Sequence, residues 1–311
     1  MRLALIAALL GLQLALALLG VLNKDAVTVV PPLTLEATRR VAAGLLLVVL
    51  IAARRSRLRP SRQDLVDAVL PGILGFGFGR ACVMVGLSLT SPTNVALIDS
   101  GAPAVALLLA VVVGVERPPR FAVIGSLVAL AGVVGFVLVG SGLGAPNLGD
   151  VITLGSPLAW GGIYVYLARR GEPGSLLRRT AWFSVAGGAA LAVPGFALNA
   201  SALPLLLDGR VLPALGLGII IGLVENWLTF RAILVLGAVQ TAEFEYLVPA
   251  LTAGAAFVLL GLPVMGAQIA AGLIIVLGLL AAGRARASAR PPERTFAGDG
   301  LPLAAQPCVV C

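Results

Sequence analysis

Long runs of apolar residues separated by short polar segments make up the chain from residue 3 to residue 282. Each run has close to the ~20 residues that a helix needs to cross a bilayer. Backbone groups in lipid must be paired internally, and the runs are too long and too uniformly apolar for barrel strands. The pattern predicts an all-α polytopic membrane protein with ten transmembrane helices. The predicted spans are 3–22, 33–53, 69–89, 94–115, 121–139, 151–168, 181–198, 211–233, 241–260 and 264–282.

The apolar pattern occurs twice, at a spacing of 146 residues. This shift places Asp99 and Pro103 on Glu245 and Pro249, Gly72 on Gly218, and Gly132 on Gly278. Each copy thus has an acid one helical turn before a proline, which is an arrangement typical of duplicated secondary transporters. Five spans per copy is an odd number, so the second copy enters the membrane from the opposite side. We predict two inverted five-helix repeats, at 1–142 and 143–283.

Composition agrees with a membrane protein and excludes several other classes. The chain is 59% hydrophobic and 12% charged, with a mean hydropathy of +1.05, which soluble domains do not reach. It has no histidine and no phosphate-binding Walker loop, so we expect no cofactor, no metal and no direct use of ATP. Residues 284–311 lack an apolar period, and we expect a disordered cytoplasmic tail.

The basic residues lie in loops and orient the chain, so the net charge of +8 does not indicate a nucleic-acid partner. One set of alternate loops contains Arg54, Arg55, Arg57, Arg59, Arg62, Arg117, Arg120, Arg169, Arg170, Arg178 and Arg179. The other set contains only Lys24 and Arg210. By the positive-inside rule, the arginine-rich loops and both termini are cytoplasmic. We expect a multi-pass protein of the cell (inner) membrane.

Two charges lie deepest within the predicted spans, Arg80 and Glu225. A charge at the bilayer centre costs about 2.5–3.5 kcal/mol and faces the bundle interior. Glycines spaced by four residues accompany both, at Gly75 and Gly79 and at Gly218 and Gly222, and such spacing allows close helix packing. One interpretation is a buried ion pair that packs the two halves. The other is a substrate site, in which Arg80 binds a carboxylate or phosphate and Glu225 takes an amine, a proton or the arginine of the empty state.

The repeated acids, Asp99 and Glu245, are shallower and share a helix face with Pro103 and Pro249. Proline removes a backbone donor and frees the carbonyl one turn earlier, which creates a bend and a polar spot. These residues are candidates for coupling or gating, as a symmetric pair of gates. The alternative is a pair of interfacial acids that reach the headgroups.

Other charges in the spans are given structural or interfacial roles. Glu36 and Arg40 have the i,i+4 spacing of a helix-surface ion pair, and Arg39 is expected to face headgroups. Glu243 is expected at the membrane interface, and Arg231 pairs with Glu243 or Glu245 or serves as a topology charge. Among the aromatics, Trp160 and Tyr164 lie one turn apart on one face and are candidates to stack on a substrate group.

Short motifs in a fixed order give the chain a resemblance over residues 3 to 282. The first copy contains Pro32 and Arg40, Gly86-Leu-Ser-Leu, Ser100-Gly-Ala-Pro103, Gly114-Val-Glu116-Arg, Gly125 and Ala131-Gly132. The second contains Gly149-Asp150, Ala159-Trp160, Tyr164 and Arg169-Arg170. In these motifs the chain resembles the EamA type of the drug/metabolite transporter superfamily. It departs from the pattern in Leu10-Gly11, where Trp-Gly is common, and in Leu262, which corresponds to Glu116.

The resemblance implies a ten-helix inverted-repeat carrier that moves small organic metabolites, often outward. We therefore expect a secondary-active exporter of compounds such as amino acids, working by alternating access, with protons and the lipid bilayer as further partners. The first alternative is an uptake permease or exchanger of small anionic metabolites on the same fold. A membrane-embedded enzyme would need a nucleophile or metal constellation that the sequence does not contain. A non-transporting scaffold or receptor would not need the duplicated buried charges.

Labelling of intact cells tests the orientation. In a background without the native cysteines, we expect a membrane-impermeant thiol reagent to react with a Ser141→Cys variant and not with an Arg57→Cys variant, because the first lies beside the external loop 142–147. The lysed-cell reaction of both variants is the control. Labelling of Arg57→Cys alone in intact cells would reverse the proposed orientation.

Overall fold

The computed structural model describes residues 2–53, 62–90, 92–141, 147–171, 175–197, 199–261, 264–288, 296–297 and 301–302. The first part forms α1 (Arg2–Ala26), α2 (Pro32–Ala53), α3 (Arg62–Asp64), α4 (Leu70–Gly72), α5 (Arg80–Leu89), α6 (Pro92–Asp99), α7 (Ala102–Val112) and α8 (Arg120–Ser141). The second forms α9 (Leu148–Thr153), α10 (Gly155–Arg170), α11 (Leu176–Ala197), α12 (Leu212–Leu236), α13 (Ala238–Glu243), α14 (Val248–Leu260) and α15 (Gly266–Ser288). The prediction of an all-α polytopic fold is confirmed.

Shorter irregular segments join or extend these helices. π-helical turns at Leu65–Val69 and Ile73–Gly79 link α3, α4 and α5 into one long helical stretch, and 3₁₀ turns occupy Ala200–Leu207 and Phe244–Leu247. In the tail, β1 (Phe296–Ala297) pairs antiparallel with β2 (Leu301–Pro302). The last helix continues to Ser288, beyond the predicted boundary at 283. Apart from this extension and the two short strands, the predicted disordered tail lies outside the described residues.

Eight helical segments of the described chain are long and apolar enough to cross a membrane, so the predicted count of ten is not exact. They are Arg2–Asn23, Leu65–Val83, Arg120–Val139, Leu148–Arg170, Leu176–Ala197, Leu212–Leu236, Ala238–Leu259 and Gly266–Ser288. The predicted span 33–53 corresponds to α2, which has 22 residues but contains Glu36, Arg39 and Arg40. The predicted span 94–115 is divided between α6 and α7, and neither half is long enough alone.

The division between α6 and α7 has a local cause. The Ser100 hydroxyl donates to the carbonyl of Leu97, and such a bond competes with the helix ladder. Pro103 then stands in the first turn of α7, where its missing N–H frees the carbonyl of Asp99. Pro249 has the same position in α14, directly after the 3₁₀ turn that contains Glu245. Both acids therefore lie at a break in their helix.

The helix bounds follow the 146-residue spacing of the sequence. Shifted by 146 residues, α8 falls on 266–287, within α15, and α2 falls on 178–199, two residues from α11. The packing follows the same correspondence, because α8 contacts α15 along its length and α2 contacts α11. α1 packs against α12 and α14, while α10 packs against the stretch before α5 and against α7. Helices of each half thus interdigitate with helices of the other.

Small residues allow α8 and α15 to cross with their backbones in contact. A Cβ added at Gly125 would lie 2.5 Å from the backbone nitrogen of Ala282, and one added at Gly278 would lie 2.5 Å from that of Ala129. Only glycine fits at such an approach. Large apolar side chains such as Phe121, Val258 and Leu277 are exposed on the outside of the bundle, as expected for a surface in lipid.

Alanine substitution on α15 tests this crossing. We expect Gly278→Ala to lower the free energy of unfolding by about 1–3 kcal/mol, because the added methyl group meets backbone atoms that cannot turn away. Gly283→Ala is the matched control, since a Cβ there meets nothing within 4 Å and alanine is the better helix former. Thermal unfolding in detergent compares the two, and equal melting temperatures would contradict the close crossing.

Candidate functional site

Arg40 of α2 forms ion pairs with two acids and lies at the centre of a largely buried group of three charges. Its Nε lies 2.9 Å from Oε1 of Glu36 on the same helix, and its Nη1 lies 2.8 Å from Oε2 of Glu225 on α12. The guanidinium also stacks 4.0 Å from the ring centroid of Phe76, which adds a cation–π contact. The predicted Glu36–Arg40 pair therefore exists, but it lies inside the bundle and links the two halves of the chain.

The neighbouring Arg39 is also buried, so the expectation that it faces headgroups is wrong. It is 3% exposed, its Nη1 lies 3.4 Å from Glu36, and its Nη2 donates to the Asn23 side chain. Gly218 provides the space, because a Cβ there would overlap the Arg39 stem. Of the two spaced glycines on α12, Gly218 thus accommodates the Arg39 side chain, and Gly222 allows close packing against Ala43 of α2.

Arg80 does not form the predicted ion pair with Glu225, whose partner is Arg40. Within the described residues, Arg80 makes no ion pair or hydrogen bond, and its buried Nε has no hydrogen-bond partner. Its charge acts on Glu36 and on Glu245 only through space. Arg80 is partly buried. The Nε atoms of Arg39, Arg179 and Arg286 also lack a partner, but those three arginines form ion pairs through their other nitrogens, so the absence of any ion pair among the described residues sets Arg80 apart.

The two acids at the helix breaks each accept a hydrogen bond from α10. Ser156 donates to Oδ1 of Asp99 at 2.5 Å, and the Tyr164 hydroxyl donates to Oε1 of Glu245 at 2.5 Å. Neither acid reaches a headgroup position as a free surface carboxylate, because both are partly buried and hydrogen-bonded. Sequence reasoning identified Tyr164 as an aromatic surface and did not identify Ser156; the four-residue spacing of Ser156, Trp160 and Tyr164 was the available signal.

Aromatic rings pack beside Arg40 and Arg80. Trp160 meets Phe76 edge-on with centroids 5.2 Å apart, and Phe183 contacts Phe76 at 5.4 Å and Phe230 at 5.0 Å. The glycines Gly75 and Gly79 make room for the Trp160 ring, which would lie 3.2–3.4 Å from a Cβ at either position. Trp160 therefore lies against the glycine-rich turn that precedes Arg80.

Other buried ion pairs lie near the arginine-rich ends of the helices. Asp67 contacts Arg170 at 2.6 Å and Arg179 at 3.4 Å, so these two loop arginines have structural partners as well as a role in topology. Glu243 is 3% exposed and is held by Arg286 at 2.5 Å and by the Ser126 hydroxyl.

Glu243 was expected at the membrane interface, and the structure shows it buried in an ion pair with Arg286 in the last turn of α15. By contrast, the Asp208–Arg210 pair lies in an exposed connection before α12, where the hydrogen bond from Arg210 lowers the pKa of Asp208.

An apolar helical bundle with a charged interior defines a multi-pass membrane protein of the transporter class. The EamA-like transporter family model matches residues 3–138. The uncharacterized transporter YyaM of Bacillus subtilis is 29% identical over 251 residues, which are 78% of this chain and 80% of that protein. The uncharacterized protein PA1977 of Pseudomonas aeruginosa is 31% identical over 264 residues, covering 82% and 84%.

One solved crystal structure has the same fold. It superposes on this chain with a TM-score of 0.73 and 23% sequence identity, and the match covers 89% of this chain and 98% of that chain. At this identity the likeness shows the fold alone. The chain belongs to the EamA-like transporter family, within the drug/metabolite transporter superfamily. It is a membrane transporter of small molecules, and the names of the family and of its relative indicate a transporter rather than an enzyme.

The shared arginine gives an asymmetric prediction for stability. We expect Arg40→Gln to destabilise the chain by about 3–5 kcal/mol, because it leaves Glu225 without its cation and Glu36 with only the longer contact to Arg39. Glu225→Gln should cost less, since Arg40 keeps Glu36. Arg210→Gln is the exposed control and should change little. Chemical or thermal unfolding in detergent measures the order, and a Glu225→Gln variant less stable than Arg40→Gln would contradict it.

Proposed function

We propose that the chain is a secondary-active exporter of small organic metabolites, such as amino acids or related compounds, that works by alternating access. Two inverted five-helix repeats, 1–142 and 143–283, would move around a site between them. The 146-residue correspondence of helix bounds supports this proposal, as do the paired helix breaks at Asp99 and Glu245. In transporters of this kind, broken helices meet at the substrate site.

The substrate site comprises Arg80, Glu225, Trp160 and Tyr164. The observation that carries this assignment is that Arg80, unlike the other arginines with an unpaired Nε, forms no ion pair with any described acid. A guanidinium offers a planar set of donors that matches a carboxylate or phosphate. A bound substrate anion would provide the acceptor that the Nε of Arg80 lacks among the described residues.

Glu225 and Trp160 act on the rest of the substrate. Glu225 shares Arg40 with Glu36, so a substrate amine competes with Arg40 for Glu225, and Arg40 remains paired with Glu36. Trp160 borders the glycine-rich turn next to Arg80 and provides an apolar surface for stacking. Tyr164 completes the site through its hydroxyl, which is engaged with Glu245.

Coupling and gating belong to Asp99, Glu245, Pro103 and Pro249. Both acids are at helix breaks and are held by hydroxyl groups rather than by arginine, so a proton can replace the donor on either. The Glu245 carboxyl accepts a hydrogen bond from Tyr164, and it interacts electrostatically with Asp99, Glu225 and Arg80. We assign the protein to the cell (inner) membrane, with both termini cytoplasmic, on the loop charges.

Uptake or exchange of small anionic metabolites is the second candidate function. The unpaired Arg80 favours it, because this residue recognises an anionic group whatever the direction of transport. Counterflow in proteoliposomes, with a panel of amino acids, their relatives and simple organic anions, distinguishes the two. Exchange of anions that have no amine would favour the second function.

Substitution of Arg80 tests the substrate site. We expect Arg80→Lys to fold and to reduce transport by about tenfold or more, because lysine keeps the charge and loses the planar donor set. Counterflow of a substrate found in the panel is the measurement, and Arg210→Lys is the exposed control. If Arg80 only balances Glu245, the Arg80→Gln/Glu245→Gln double variant should recover full transport, and that recovery would reject the substrate role.

A further inference from the structure

One face of α10 bonds to the broken helices of both halves. Ser156, Trp160 and Tyr164 are spaced by four residues, so they lie in one row along the helix. Ser156 donates to Asp99 at the end of α6, and Tyr164 donates to Glu245 in the 3₁₀ turn before α14. A single rigid helix thus contacts both breaks.

These two carboxylates differ from the acids that are held by arginines. Asp150, at the start of α9, also accepts a hydrogen bond from a hydroxyl, that of Thr90, and Glu116 accepts hydrogen bonds from the backbone at the start of α13. Glu36, Asp67, Glu225 and Glu243 each pair with at least one arginine. Asp99 and Glu245 have no arginine within ion-pair distance among the described residues, and a hydroxyl group holds each of them. A hydrogen bond from a hydroxyl is broken at much lower cost than a buried ion pair, whose separation leaves two uncompensated charges.

The two bonds lie on opposite sides of Trp160. Eight residues separate Ser156 from Tyr164, which is about 12 Å along a helix axis, and Trp160 lies midway and packs on Phe76. α10 begins after the arginine-poor connection and ends at Arg170 in the arginine-rich one. The Ser156 bond is therefore nearer the arginine-poor side of the membrane, and the Tyr164 bond nearer the arginine-rich side.

We propose that Ser156 and Tyr164 are positioning residues that act as two latches, one closing each side of the transport path, and that the latches open one at a time. Each latch holds a segment whose helix ladder is already interrupted before Pro103 or Pro249, so its release lets that segment move without breaking a continuous helix. The proposal rests on alternating access in this chain, and it gives Ser156 a role that its position in an apolar helix does not reveal.

Thiol labelling from each side of the membrane tests the latches without a substrate. The full chain, with Cys82→Ala, Cys308→Ser and Cys311→Ser, carries one reporter at a time, Ser100→Cys beside Asp99 or Leu247→Cys beside Glu245. Membranes are prepared as right-side-out and as inverted vesicles, and a charged, impermeant methanethiosulfonate is the probe. The rate of modification reports how often each side opens.

The two hydroxyl deletions should act on opposite sides. We expect Ser156→Ala to raise the labelling rate of Ser100→Cys from the arginine-poor side by about fivefold or more, and Tyr164→Phe to raise that of Leu247→Cys from the arginine-rich side by a similar factor. Neither variant should raise the labelling rate of the other reporter, and each can lower it because the two sides open one at a time, so each is the control for the other. Ser156→Thr, which keeps the hydroxyl, should behave as the parent chain.

Two outcomes would overturn the latches. Increased labelling from both sides in either variant would mean general loosening, and unchanged labelling in both would mean that the hydroxyls do not restrain the breaks. If a hydroxyl variant does not fold, Asp99→Asn and Glu245→Gln weaken the same bonds from the other partner and should give the same side-specific increases. One-sided labelling in a chain that fails the counterflow panel would retain the latches and remove only the proposed substrate function.

Discussion

The need to neutralise charge inside the membrane explains most of the interior of this protein. Arg40 is shared by Glu36 and Glu225, and it thereby connects α2 with α12. Nearby residues accommodate these charges. Gly218 leaves room for the Arg39 side chain, and the Phe76 ring packs against the Arg40 guanidinium. With Glu225 paired to Arg40, Arg80 has no acid partner among the described residues, and the proposed substrate site rests on this imbalance.

Much of the fold could be predicted from the sequence because lipid imposes a simple length rule on apolar runs. The run 121–139 became α8 with nearly the same bounds, and the run 264–282 became α15, which extends to Ser288. The predicted count of ten spans was not exact, because α2 contains three charges and the span 94–115 is broken near Asp99. A charged helix inside a bundle and a bend at proline both depend on neighbouring helices, which periodicity does not describe.

The partners of the charges were the least predictable part of the site. Helical spacing gives the face on which Arg39 or Glu243 lies, but it does not show which helix covers that face, so the sequence did not predict that both residues are buried in ion pairs. Glu225 was matched with Arg80 because the repeat aligns them, whereas the fold brings α2 and its Arg40 closer. The glycines of α12 were the sequence signal for this pairing, because they lie opposite α2, which contains two successive arginines.

The crossing of α8 and α15 restricts how the molecule can change shape. At Gly125 and Gly278 the two helices meet through main-chain atoms, so there are no side chains at the contact whose rotamers could change to let the helices slide. One helix comes from each half of the chain, which makes the crossing a fixed point shared by both. Any relative rotation of the halves must therefore pivot about this crossing, and the largest displacements will occur in the helices farthest from it.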